Sequence, residues 1–333
     1  MTTSSEKTPS VGVIGTGYWG PNLARNFHEL GALSAICDKD PAALANLQKI
    51  YPEARLFADA DEMAADPAVS TVAIATSAAT HGAITRKMLE AGKHVFVEKP
   101  LCLDPDEAEE LGRLADKRNL TLMVGHLLLY HPAFQALQTA VADKRVGALR
   151  YIYSNRASFG KIRTEESALW SFAPHDVSMI LALVNQLPME ALAVAANYVT
   201  DGVSDVTISH LVFNGGVQAH IFVSWLHPYK DHRLVVVGDQ GMIVFNDSTS
   251  GADKLILYPH TATWDADLPI ANKAPGEAIA YESAEPLRVE CQHFLTCASG
   301  GLRPTSDWQE ATRVLKVLKA CDTSIQSGHR EIL

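Results

Sequence analysis

The sequence predicts an N-terminal α/β half on a doubly wound parallel sheet, followed by a C-terminal α+β half on a large, mostly antiparallel open sheet. Two changes of pattern and the length predict this. Up to about residue 124, short apolar runs alternate with helical stretches, which implies right-handed crossovers and parallel strands. Beyond about residue 150 the apolar segments lengthen, alternate, and follow one another closely with turn signals between them, as hairpins do. With 333 residues the chain exceeds one ordinary core, so two domains are expected. Their ranges are 9–126 and 127–333, with the C-terminal helix able to return to the first domain.

In order, residues 11–15 read as a strand and 19–30 as a helix. Residues 33–38 are the next strand and 41–50 the next helix, with Pro41 at a permitted first-turn position. The run TVAIAT at 71–76 is a buried strand, and the helix after it passes Met88 and stops at Gly92. Residues 94–97 are a strand, 104–118 a helix opened by Asp104 and Pro105, and 121–124 a further strand. The second half places strands at 149–158, 191–200, 206–213, 217–225 and 233–237, with Asn214-Gly215-Gly216 as a turn. A helix near 174–184 packs on that sheet, and helices at about 285–297 and 307–325 close the chain.

Composition removes several classes of function. The chain is 47% apolar and 20% charged, with mean hydropathy near zero, as in a water-soluble globular protein. A net charge of −10 provides no basic field for nucleic acid or an anionic membrane surface, although one local basic cleft is compatible with it. Residues 1–10 are polar and lack the apolar core of a signal peptide. No apolar run approaches the ~20 residues that span a bilayer. The five cysteines are scattered without a C-x-x-C, which fits reduced, buried thiols and a cytoplasmic location. His210, His220 and His227 fall on or beside strands with no cysteine or carboxylate to complete a metal set, so no metal is expected.

The segment Gly15-Thr16-Gly17-Tyr18-Trp19-Gly20 is a G-x-G-x-x-G that follows a strand and opens a helix. In that setting Gly15 makes the tight turn, Gly17 lets the backbone approach a pyrophosphate, and Gly20 lets helix and strand pack closely. The helix N-terminus adds unpaired N–H donors and positive potential. Asp38 ends the second strand, where an acidic residue accepts a hydrogen bond from a ribose 2′-OH and repels a 2′-phosphate. These residues predict a Rossmann domain and NAD, with NADP left open by Lys39 next door. The bland alternative is a glycine turn without a ligand.

With Glu98-Lys99-Pro100 at the end of a strand, the chain resembles the glucose–fructose oxidoreductase and inositol dehydrogenase family over nearly its whole length. Thr76, Ser77 and His81 match the cofactor loop of that family, as Ala173-Pro174-His175-Asp176 matches its second catalytic segment. The resemblance implies that Lys99 and His175 are catalytic. Lys99 would reach the reacting oxygen beside the nicotinamide and stabilise developing alkoxide charge, and the Lys99–Pro100 bond is often cis. His175 would be the general base for oxidation or the acid for reduction, a task suited to histidine's ordinary pKa. Tyr18, Trp19, Thr76, Ser77, His81, Glu98 and Lys99 join Gly15, Gly17, Gly20 and Asp38 as cofactor contacts. One departure is Ser171, where many members carry an aspartate that orients the histidine; Asp176 is the candidate substitute. The alternatives are a capping or core histidine and a surface lysine.

Residues 155–163 leave a strand with Arg156, Lys161 and Arg163, just ahead of Trp170 and His175. Those cations read either as a clamp for a nucleotide-sugar diphosphate or as a solvated strand edge. Trp170 and Asp176 are grouped with the substrate contacts. Tyr130 or His126, at the junction after the last Rossmann strand, matches positions with which the family lines its sugar pocket; His131 reads as a helix start. Within the family, VGHLLLYHPA, APHDVSMI and VSWLHP resemble members that oxidise nucleotide-activated amino sugars, the UDP-N-acetylglucosamine 3-dehydrogenases. The implied reaction is NAD-dependent oxidation of the C3 hydroxyl to a 3-keto sugar, as in amino-sugar and lipopolysaccharide biosynthesis. Rivals are an NADPH-dependent ketoreductase of deoxysugars, an NAD-retaining glycosidase and a non-catalytic sensor. The resemblance also implies a homodimer or homotetramer paired through the C-terminal sheet.

Overall fold

The computed structural model describes residues 9–333; the polar stretch at 1–8, part of the segment read against a signal peptide, lies outside the described residues. Contacts divide the chain into two units: the first runs to Leu127 and adds Glu285–Leu315, and the second comprises Leu128–Ala284 and Lys316–Leu333. The sequence predicts one domain over 127–333. Residues 285–315 depart from that range because their apolar side chains find cover in the first unit.

In the first unit, β1 (Val11–Ile14), α1 (Gly20–Glu29), β2 (Leu33–Cys37), α2 (Pro41–Ile50), β3 (Arg55–Phe57), α3 (Ala60–Ala65), β4 (Thr71–Ile74), α4 (Ala78–Glu90), β5 (His94–Glu98), α5 (Pro105–Lys117) and β6 (Leu122–Gly125) follow one another. Six parallel strands lie in the order β3-β2-β1-β4-β5-β6. This is the doubly wound dinucleotide-binding order, and its switch point lies between β1 and β4. Strands β1, β4 and β6 are buried on both faces, hence their unbroken apolar runs. Asp40 and Asp104 cap α2 and α5 through Ala42 N (2.9 Å) and Asp106 N (2.8 Å), each followed by proline in the first turn. The sequence does not predict β3 or α3. Arg-Leu-Phe is too short to show a period, and it becomes a strand by pairing with β2 at the sheet edge.

The second unit contains α6 (Pro132–Ala142), β7 (Leu149–Phe159), α7 (Ala168–Val184), β8 (Glu190–Ala196), β9 (Val206–Val212), β10 (Gln218–Ser224), β11 (Leu226–Gly238), β12 (Met242–Asn246), β13 (Leu255–Tyr258), β14 (Thr261–Asp265), β15 (Leu268–Asn272) and β16 (Glu277–Ala278). The chain then runs through α8 (Pro286–Gly300) and α9 (Trp308–Ser327) to β17 (Glu331–Ile332). Nine strands lie in the order β16-β13-β12-β11-β7-β10-β9-β8-β17. All pairs are antiparallel except β7 with β10, where α7 and a hairpin intervene. The predicted turn joins β9 to β10, with Gly215 and Gly216 at φ of 82° and 86°.

Helix α7 packs on β10, β7 and β9. It starts at Ala168, not near Pro174 as the sequence predicts, and continues through the proline. Strands β12 to β16 were also not predicted. The turn of β14–β15 places Ala266 at φ 53°, and alanine is no turn signal. One face of the large sheet lies under α7. On the other, Val194, Ile208 and Phe222 stand side by side in register, with Val194 58% and Ile208 48% exposed. Beside them Tyr153 stacks on His220 at 5.3 Å between ring centroids.

Candidate active site

The glycine loop is shaped by contacts that leave room for nothing larger. Gly15 has φ +89°, and a Cβ there would lie 2.7 Å from Thr76 Cγ2. A Cβ on Gly20 would lie 2.0 Å from the Gly15 oxygen. Gly17 faces open space instead, so a side chain there would occupy the cradle, not the packing. Helix α1 has no side-chain cap and no acidic residue in its first turn. Its N–H donors and positive end are left for an anion, and a dinucleotide diphosphate fits.

Asp38 holds this loop. Its Oδ2 accepts from both the backbone N–H and the hydroxyl of Thr16, each at 2.6 Å, and its Oδ1 accepts from Asp40 N at 2.9 Å. Burial opposes the charge, but these hydrogen bonds outweigh it and keep the carboxyl below its usual range. Tyr18 is exposed and Trp19 half-buried. Thr76 bonds the Thr80 hydroxyl at 2.7 Å, and Ser77 starts α4. His81 departs from the cofactor contact that the resemblance implies. It is buried, and its Nδ1 and Nε2 lie 2.7 Å from the Pro100 oxygen and 3.1 Å from the Thr76 oxygen. His81 therefore ties the loop after β4 to the segment after β5, because its ring is fully engaged with backbone.

The Lys99–Pro100 bond is cis. Glu98 ends β5, and a Cβ on Gly125 would stand 3.0 Å from its Oε2. Burial pushes the Glu98 carboxyl up to about 7, against the pull of the Lys99 ammonium, the nearby Trp19 indole N–H and the Lys99 backbone N–H. His126 is buried and bonds Glu310, a partner the sequence does not single out. Among the described residues no group of three or more His, Cys, Asp or Glu is arranged to hold a metal ion. All five cysteines are buried and form no disulfide.

In the second unit His175 sits in the second turn of α7, half-buried. Asp176 is fully buried: Oδ1 accepts from Ser154 Oγ at 2.5 Å and Arg156 Nη2 at 3.2 Å, and Oδ2 from Arg156 Nε at 2.8 Å. The third guanidinium nitrogen lies 3.3 Å from His232 Nδ1. Burial and the Arg156 and Lys230 cations push the His232 imidazole down to about 3, so it stays neutral. The sequence predicts Arg156 and Asp176 as substrate contacts; the structure commits them to each other. The inward face of β7 meets α7 there, and a buried charge must be paired. The pair pins the helix residue next to His175 onto the sheet, which also turns Asp176 away from the role of orienting that histidine.

The other predicted contacts are differently placed. Arg163 pairs with Glu166 at 3.0 Å, Lys161 lies on an exposed loop, and Trp170 is half-buried in the first turn of α7. Tyr130 is buried at the end of a 3-10 turn, and His131 caps α6 through Ala133 N at 3.1 Å. Arg156→Met leaves a buried carboxylate unpaired and is expected to cost about 3 kcal/mol of stability. Adding Asp176→Leu should recover most of that loss in chemical denaturation. A substrate-contact role would leave the midpoint of the single variant where it was.

Comparison with known proteins agrees with this architecture. Residues 10–126 match the Gfo/Idh/MocA oxidoreductase family model with its NAD-binding Rossmann fold, and residues 134–244 match the Gfo/Idh/MocA C-terminal domain. UDP-N-acetylglucosamine 3-dehydrogenase of Acidithiobacillus ferrooxidans is 31% identical over 92% of this chain and 93% of its own length. Its solved structure superposes with a TM-score of 0.84 over 96% of this chain and 97% of that one. The NADP-linked scyllo-inositol 2-dehydrogenase of Bacillus subtilis is 26% identical over 79% of this chain and 76% of its own. An enzyme of gentamicin A biosynthesis, solved with NAD, shares the fold at 22% identity, with a TM-score of 0.84 over 98% and 97% of the two chains. With the glycine cradle, the Glu98-Lys99-Pro100 turn and both domain matches in place, this chain belongs to the Gfo/Idh/MocA family of NAD(P)-dependent oxidoreductases.

Proposed function

We propose that the protein oxidises the C3 hydroxyl of a nucleotide-activated amino sugar, of the UDP-N-acetylglucosamine kind, to the 3-keto sugar. The observation that carries this reading is the 31% identity to an enzyme of that activity along 92% of the chain. Bound NAD supplies the hydride acceptor. His175 takes the hydroxyl proton, and Lys99 holds the same oxygen and stabilises negative charge as it develops. Lys161 and Arg163 bind the diphosphate; Arg156 is excluded from that task by its bond to Asp176. Asp38 favours NAD over NADP, because a carboxylate at the end of the second strand repels a 2′-phosphate.

Mixing the protein with NAD and UDP-N-acetylglucosamine should raise absorbance in the NADH band. Lys99→Ala should lower that rate by roughly 100-fold or more, as loss of an oxyanion-stabilising group does. No signal with this sugar or with other UDP- and dTDP-sugars would overturn the dehydrogenase reading. Turnover of NADPH with a keto sugar would replace it with the reductase.

The protein works in the cytoplasm in this reading, consistent with five buried cysteines and no disulfide. A second copy covers the open sheet face at Val194, Ile208 and Phe222, since exposed apolar strands in register need cover. Light scattering should give a dimer or tetramer mass that Ile208→Lys reduces to one chain. A single-chain mass for the unaltered protein would refute this.

A further inference from the structure

The backbone of α7 is interrupted just ahead of His175. Ser167, before the first turn, gives no side-chain cap, and Pro174 inside the helix has no N–H for the carbonyl of Trp170 four residues earlier. Apart from His175, Asp176 is the only titratable side chain of the helix. The hold that β7 has on Asp176 therefore falls one residue beyond His175 and two beyond the break.

That hold depends on one arrangement of Arg156. Its Nε and Nη2 donate to the two carboxylate oxygens of Asp176, and Ser154 Oγ donates to one of them. The remaining nitrogen, Nη1, lies 3.3 Å from Nδ1 of His232, which stands directly opposite Arg156 in the β7–β11 pairing. A guanidinium only donates, so Nδ1 carries the lone pair and the proton of the neutral ring sits on Nε2. Nε2 is buried and has no partner among the described residues. An apolar side chain would strand no donor there, so the histidine is explained by its Nδ1.

The surroundings of the ring keep it in that state. Burial, Arg156 and Lys230 oppose a charge on His232 and outweigh Asp247 and Asp231, which favour one. The main chain of His232 is fixed as well: its N–H donates to Ser248 Oγ and its carbonyl accepts from Asp247 N, both at 2.8 Å.

We propose that His232 is a positioning residue for His175: its unprotonated Nδ1 takes the guanidinium nitrogen that Asp176 leaves over, and so holds Arg156 where it anchors the His175 turn of α7. The effect on rate rests on the sugar oxidation proposed above; the tautomer does not.

Nitrogen NMR of the protein labelled in its histidines should show one neutral ring with its proton on Nε2. Its signals should stay unchanged from about pH 8 to about pH 5, where an ordinary histidine titrates, and should be missing from His232→Gln. With cofactor and sugar, His232→Leu should lower kcat by roughly tenfold while KM stays nearly unchanged, as expected when one hydrogen bond to a charged group is lost. His232→Gln, whose side-chain oxygen accepts from a guanidinium, should recover most of that loss. A role in packing alone would move the denaturation midpoint of the leucine variant and leave its kcat in place. A ring that carries its proton on Nδ1 or becomes charged within that range, a leucine variant as fast as the unaltered protein, or a glutamine variant as slow as leucine would each overturn the proposal. If the leucine variant fails to fold, or if no sugar is turned over, the nitrogen spectra decide alone, and only the latter outcome bears on the proposed function.

Discussion

Two hydrogen bonds from Thr16 to one oxygen of Asp38 fix the backbone on which cofactor binding depends. They tie the loop after β1 to the end of β2. Gly15 can then take its left-handed conformation against Thr76, and Gly20 can close on the Gly15 oxygen. Helix α1 consequently starts with its donors uncapped at the place where the two halves of the sheet diverge. The carboxylate proposed to select the cofactor thus also shapes the loop after β1, so the two roles fall on one sequence position.

Buried polar pairs recur next to the residues assigned to chemistry. Arg156 and Asp176 pin the helix that carries His175, and His81 bridges the loops after β4 and β5. Such pairs seldom add net stability over an apolar replacement, yet each specifies one arrangement, because breaking it leaves a charge or donor stranded. Both units therefore place the side chains proposed for chemistry beside groups whose geometry is over-determined.

Much of this fold was legible because the parallel sheet is buried on both faces. That burial writes β1, β4 and β6 as unbroken apolar runs, and Asp-Pro pairs mark the starts of α2 and α5. The glycine loop was legible from its spacing between a strand and a helix, and the Glu98-Lys99-Pro100 turn from its resemblance to a family signature. What escaped is long-range. Strand β3 exists only through its partner, and residues 285–315 join the first unit because Phe294 finds Phe27 and Phe96 there. Arg156 read as a ligand for anions because nothing local shows that β7 faces Asp176 on α7.

The most direct test of the account is a calorimetric titration of NAD and of NADP into the protein and into Asp38→Ala. NAD is expected to bind at least about tenfold more tightly than NADP, and the substitution should weaken NAD and erase the preference. Equal affinities in the unaltered protein, or a preference that survives the substitution, would contradict the central place given to Asp38.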